Sequence, residues 1–395
     1  MTATVRDSQG KSISGSPVTW EIRPGSPGPA VPSITPTGER TALVTMGYMT
    51  FYVVASASTR AGAPAVTGRI FVALPPVTEL SAREGQAFIW TRAAGFTRIT
   101  PPQGASKVFP RAINDAGQVV GSVELDGQAS SRRAFVWSAS SGFTYLNPPD
   151  FRGRSIANAI NASGTVTGET AGFQSGFHAF VWSPESGMTI LPAYAKEDYS
   201  SGKSINSAGQ IAGIASVAFG VERAFRWSSV GGLQVLPVDT VRSSFAVAIN
   251  NSGQVVGSDG PSEWYGDLSG PMPVLWDAVG GRTQVAGCDR PCEMQVVALN
   301  DRAQVAGNHD GRAFRWSVSE GINRIPEMNG FGASRATAMN DGGDMVGVSG
   351  KRYVENRGWL WTGGGELIDL GMPPGVVYVK PAGINNAGQV VGTFR

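Results

Sequence analysis

Reactive side chains are scarce in this chain of 395 residues: it has two cysteines, two histidines and only 16% charged residues. A structural zinc site needs four ligands, and His178 and His309 lie in different repeats from Cys288 and Cys292, so zinc is disfavoured. There is no Gly-x-Ser-x-Gly elbow, no P-loop and no Asp-x-Asp-x-Asp-Gly calcium loop. No cofactor is expected and no catalytic residue is assigned. The net charge of +2 provides no basic stripe for counterion release, which argues against nucleic acid as a partner. Long apolar runs are missing too. The most apolar stretch, residues 41–58, is broken by Thr, Gly and Ser and reads as two strands, so no membrane insertion is expected. No sustained helical period occurs anywhere, and no basic region followed by an apolar core marks a signal peptide in this numbering.

What is abundant is glycine, at 53 residues, within a chain that is 41% apolar, which suits a turn-rich all-β protein and not a disordered one. Two motifs alternate along it. A Trp-ended strand appears at Ala87–Trp90, Ala134–Trp137, Ala179–Trp182, Ala224–Trp227, Val274–Trp276, Ala313–Trp316 and Trp359–Trp361. An Asn-ended strand closes at Asn114, Asn161, Asn206, Asn250, Asn300, Asn340 and Asn385. The shared period of roughly 45 residues is that of propeller blades.

Each unit reads as four strands. The turn between the first and second, as in Asn114-Asp115-Ala116-Gly117, places Asn first and Gly fourth, as a type I turn with a left-handed Gly bulge requires. Turn chemistry accounts for the asparagines without a ligand role, the side chain bonding the backbone two residues on. At Asn300-Asp301-Arg302-Ala303 an alanine must take the strained position or the turn must change. Small residues stand two positions before each Asn, so this strand is innermost, where strands crowd. The Trp residues then fill the wider wedge between sheets. The array opens on third and fourth strands and stops after first and second ones. A seven-bladed ring over 84–395 therefore closes if residues 382–394 pair beside residues 86–99, removing exposed edges.

Residues 1–76 follow another pattern, with short alternating strands at 17–22, 40–45, 49–55 and 68–73 that imply a β-sandwich, and residues 77–83 form a linker after Pro75-Pro76. The run from Thr2 to Ile22 with Ile34-Thr35-Pro36-Thr37-Gly38 resembles bacterial Ig-like domains of group 2. In that family another strand precedes the position of Met1, so a domain short of its first strand and a missing leader are expected.

The alternation of Ala-Ile-Asn-x-x-Gly-Gln-Val-Val-Gly with Ala-Phe-x-Trp resembles the bacterial repeats named for His-Ala-Phe, a triplet present in full as His178-Ala179-Phe180. The resemblance covers residues 84–395 and departs at Pro273-Val274-Leu275-Trp276 and at Gly358-Trp359. It implies a β-propeller in an extracellular or envelope setting and brings no catalytic residues with it. Cys288 and Cys292, four apart, close a small loop disulfide or stay as reduced thiols; an exported chain favours the disulfide.

One rim of such a ring carries short uniform turns, and the other carries loops of varied length and chemistry. Binding usually resides in varied loops on a rigid scaffold, with aromatic and Arg anchors. The candidate binding residues are Tyr194, Asp198, Tyr199, Trp264, Tyr265, Asp267, His309, Asp310, Arg352, Tyr353 and Glu355, set against the alternative of solvated connectors. Arg133, His178, Arg223, Arg312 and Arg357 share one repeat position, which reads either as a basic ring or as packing against the next blade. A glycan or protein ligand for a monomeric exported module is the expectation. A polysaccharide lyase or hydrolase using acidic residues at the mouth, and a structural spacer, are the alternatives.

Overall fold

The computed structural model describes residues 85–125, 132–147, 153–171, 176–192, 199–218, 221–238, 243–260, 272–285, 294–328, 330–351 and 355–394, together with five strands within 18–72. The chain divides into two units, the second comprising residues 83–351 and 356–395. In the first, Val18–Pro24, Phe51–Ala57 and Val66–Val72 form an antiparallel sheet, and Ser33–Gly38 pairs with Thr41–Thr45. The side chains that would make a sandwich of them lie outside the described residues.

In the second unit the repeat folds as seven four-stranded antiparallel sheets. Blades 1 to 6 run over residues 105–145, 154–190, 200–235, 243–284, 295–324 and 334–369. Blade 7 combines the two ends of the array, in the order Val379–Ile384, Val390–Phe394, Gln86–Thr91, Gly95–Ile99. Val390 stands opposite Trp90 and Gly392 opposite Phe88, so the two ends of the array share one sheet and the ring closes as a seven-bladed β-propeller.

The core is divided among seven clusters, each built from two neighbouring blades. Period-two alternation explains this: in Ala134-Phe135-Val136-Trp137 the Ala and Val face the next blade, while the Phe and Trp face the previous one. Phe180 is thereby buried in the same cluster as Ala134, a large side chain meeting a small one. Phe88, Phe135, Phe180, Phe225 and Phe314 are fully buried, whereas Trp137, Trp182 and Trp227 keep part of their surface in solvent. The wedge between sheets is filled by Trp as expected, with Trp90, Trp276, Trp316 and Trp361 buried, and by Phe beside it. The two departures from Ala-Phe are size swaps. Gly358-Trp359 pairs a larger side chain with a smaller neighbour; at Val274 the shortfall is met by a fully buried Trp276 that donates Nε1–H to the Pro237 carbonyl at 2.7 Å.

The Asn turns have the expected geometry. Gly117, Gly164, Gly209, Gly253, Gly343 and Gly388 take φ between 73° and 83°, and Ala303 accepts φ 56° instead of altering the turn. Each Asn Oδ1 accepts from the backbone N–H four residues on, at 2.9 Å in all seven blades. The bond to the residue two on, expected throughout, occurs at Ser163 and Arg302. The larger surprise is the other half of the amide. Asn114 Nδ2 donates to the Asn161 carbonyl, Asn161 to Asn206, Asn206 to Asn250, Asn250 to Asn300, Asn300 to Asn340, Asn340 to Asn385, and Asn385 back to Asn114, at 3.0–3.4 Å. One residue type makes each turn and also laces it to the next blade.

Candidate functional site

In every blade the first strand carries a one-residue bulge in the same place, where the register slips past Arg111, Asn158, Lys203, Val247, Val297, Thr337 and Ala382. A bulge re-aims a side chain, and all seven of these line a central cavity of about 560 Å³. The second strand answers each bulge with a glycine. A Cβ on Gly121, Gly168, Gly213, Gly257, Gly307, Gly347 or Gly392 would run into a first-strand carbonyl, which explains why the Gly of Gln-Val-Val-Gly recurs.

The lining is two-sided. Blades 1 to 3 present Arg111, Asn158 and Lys203, while blades 4 and 5 present Val247 and Val297, with Ile214 and Phe245 also facing the cavity; blade 7 contributes Ala382 and Thr393 together with a further cation, Lys380. Arg132 adds to the charged wall, its guanidinium 4.3 Å from the centre of the Phe109 ring. Glu124, nearly fully buried, lies 3.5 Å from Lys107 Nζ and 3.9 Å from Arg132 Nη2. Glu169 accepts from Ser201 Oγ at 2.6 Å and lies 3.6 Å from Lys203 Nζ.

These charges perturb one another. Burial lowers the pKa of Arg111, and the like charges of Arg132 and Arg154 lower it further against the pull of Glu169. Lys203 is likewise held below the usual lysine range by burial, with Glu169 opposing. Burial raises Glu222, and Lys203 counters. The Tyr199 hydroxyl is pushed up to about 12, by burial first and then by Glu169 and Glu222. It therefore holds its proton well above neutral pH. Among the described residues no group of His, Cys, Asp and Glu could hold a metal ion.

Of the expected binding residues, Tyr199 stands in this charge cluster, close enough to feel Glu169 and Glu222. His309 and Asp310 do not line the cavity. They open the hairpin of blade 5, where Asp310 and Gly311 both take positive φ, 50° and 72°, as a type I′ turn demands. His309 contacts Arg324 Nη2 at 3.4 Å and Asp310 Oδ2 at 3.4 Å. Tyr194, Asp198, Trp264, Tyr265, Asp267, Arg352 and Tyr353 lie outside the described residues, as do Cys288 and Cys292; Glu355 begins a strand whose side chain there is likewise outside them. Two members of the Arg position behave structurally: Arg312 pairs with Glu327 at 2.5 Å and Arg357 with Asp369 at 2.7 Å.

The bulge position leaves a signal in the sequence. Three residues before each Asn, the residue type changes from blade to blade while its neighbours stay Ala-Ile-Asn or close to it. Such local variety inside a uniform repeat marks a lining position.

No family model matches the chain, and a search of curated proteins finds no match. Solved structures share its fold. A catalytically inactive virginiamycin B lyase from Staphylococcus aureus, with quinupristin, superposes with a TM-score of 0.50 at 11% identity, covering 75% of this chain and 97% of that one. TolB from Acinetobacter baumannii gives a TM-score of 0.43 at 9% identity, covering 96% of this chain and 81% of that one. At such identities the likeness is one of propeller architecture alone.

Proposed function

We propose that the chain is a binding module, exported to the extracellular or envelope space, whose ligand is a glycan or protein partner met at the long-loop rim and the cavity behind it. The observation that carries this reading is the contrast between a scaffold laced into uniformity by its Asn ring and a lining that differs in chemistry at each bulge. Rigid support beneath varied side chains is the arrangement of a recognition surface. The resemblance of the repeats to the His-Ala-Phe family supports the setting, and the Ig-like pattern of residues 1–76 agrees with a surface protein. Trp264, Tyr265, Tyr194, Tyr199, Arg352 and Tyr353 are the proposed anchors at the rim, with a disulfide between Cys288 and Cys292 bracing one loop.

A glycan lyase or hydrolase is the alternative, favoured by Glu169 and Glu222 both acting on Tyr199. It is weakened by their environment: Glu169 is bound to Ser201 and Lys203, and Tyr199 keeps its proton too firmly to serve as a base. A glycan array probed with the whole chain tests the binding reading. Retained ligand after Trp264→Ala removes that residue from the site, and loss of a polysaccharide's viscosity on incubation makes the protein an enzyme.

A further inference from the structure

Five cations, Lys107, Arg111, Arg132, Arg154 and Lys203, stand in blades 1 to 3 against three carboxylates, those of Glu124, Glu169 and Glu222. The chain as a whole is nearly neutral, so this is a local concentration of positive charge. Two observations show that it is under-compensated. The Nε atoms of Arg132 and Arg154 are buried without a hydrogen-bond partner. Arg111 and Lys203 carry their charge at a disadvantage, through burial first, which the attraction of Glu169 offsets only in part, and then through like charges, those of Arg132 and Arg154 on Arg111 and that of Arg111 on Lys203. An arriving anion would remove both deficits.

The opposite wall is Phe245, Val247 and Val297, which cannot solvate an ion. A ligand filling the cavity must therefore be charged on one side and apolar on the other. The volume of about 560 Å³ is that of a small-ligand site and cannot admit a nucleic-acid duplex or a folded domain. A compact phosphate is poorly served here, because the strand amides that would form a nest are spent in the sheet ladders. Three of the five cations are guanidinium groups, planar forks suited to planar carboxylates. A pyranose ring supplies the remaining face, since its C–H surface packs on Phe245 or Phe109 while its hydroxyls reach Asn158 and Thr337.

We infer that the central cavity binds an acidic saccharide, its carboxylates held by Arg111, Arg132 and Lys203 and its ring face against Phe245 and Val247. This rests on the binding-module reading and names the ligand class for that site.

The test is calorimetric titration of the whole chain with an oligogalacturonate, the neutral galactan oligomer of equal length, and a sulfated oligomer. The expected result is binding of the oligogalacturonate at least tenfold tighter than the neutral oligomer and tighter than the sulfated one. That affinity weakens as salt rises and falls about tenfold or more in Arg111→Gln. Lys203→Gln, on the next but one blade, is a second variant should Arg111→Gln fail to fold, and thermal melting checks both. Equal binding of neutral and acidic oligomers, or acidic binding untouched by both variants, overturns the inference while leaving a glycan-binding module standing. Tighter binding of the sulfated oligomer replaces the carboxylate by a sulfate. Absence of any saccharide binding overturns this inference, and a glycan array negative across all classes, acidic or neutral, removes the glycan reading with it.

Discussion

Replacing Asn206 by alanine would measure what the ring of amides contributes. The side chain is buried and makes three hydrogen bonds: Nδ2 donates to Asn250 O at 3.0 Å and to Gln210 Oε1 at 2.8 Å, and Oδ1 accepts from Gln210 N at 2.9 Å. Alanine removes all three. The Asn250 carbonyl still accepts from Gly253 N, and the Gln210 side chain is free to turn to water, so those groups are not orphaned. The Gln210 amide is. With the two bonds donated by Nδ2 worth about 1 kcal/mol each and the orphaned, part-buried amide costing about 1–3 kcal/mol, the expected loss is about 3–5 kcal/mol. For a ring of roughly 300 residues that lowers Tm by about 5–8 °C. Asn206→Asp separates the two roles of the side chain. It keeps the acceptor for Gln210 but turns a carboxylate oxygen on the Asn250 carbonyl, so no rescue is expected. Thermal unfolding followed by Trp fluorescence provides the readout, with Ser207→Ala, exposed in the same turn, as the control. Asn206→Ala melting within 1 °C of the native chain, or Asn206→Asp restoring native stability, would refute the claim that the amide joins one blade to the next.

Four further outcomes are expected. Ala303→Gly relieves a left-handed alanine at φ 56° and stabilises by about 1 kcal/mol, the strain relieved less the extra freedom of the unfolded chain, read from the denaturation midpoint. Gly213→Ala drives a methyl into the Ser201 carbonyl and the Phe225 ring and should give insoluble or strongly destabilised protein, whereas Gly332→Ala, whose Cβ would meet nothing within 4 Å, should fold. Phe180→Ala empties the junction between blades 1 and 2 and costs about 3–5 kcal/mol in chemical denaturation. Tyr199 keeps its proton in the fold up to about pH 12 while the unfolded chain loses it near 10, so its contribution to stability is present below pH 10 and lost on rising to 12. Tyr199→Phe should flatten the stability decline over that window and delete a phenolate that appears near pH 12 in an absorbance titration.

Much of the architecture could be read directly from residue spacing. The count of seven, the order of strands, the type I turn at each Asn and the pairing of the two ends of the array all follow from repeats whose periods and turn residues are local properties. The conflict at Ala303 was visible for the same reason, since only the sign of φ is at stake there. The site was less legible. Its place in a varied loop marks Tyr199, but its partners Glu169 and Glu222 belong to two other strands, thirty and twenty-three residues away. His309 and Asp310 drew notice as polar loop residues, and their role is a hairpin turn whose type depends on strand twist.

Local sequence by itself determined the blade: alternation sets which side chains face each neighbour, Asn and Gly shape the turn, and the incomplete ends demand closure. Tertiary structure decided the cavity. Arg111, Asn158 and Lys203 occupy one repeat position forty-odd residues apart, and only ring closure with a bulge in every first strand sets them around one axis. Charge interactions fall off over ångströms of space, not along the chain, so a nearly neutral sequence folds into a ring with one cationic and one apolar wall.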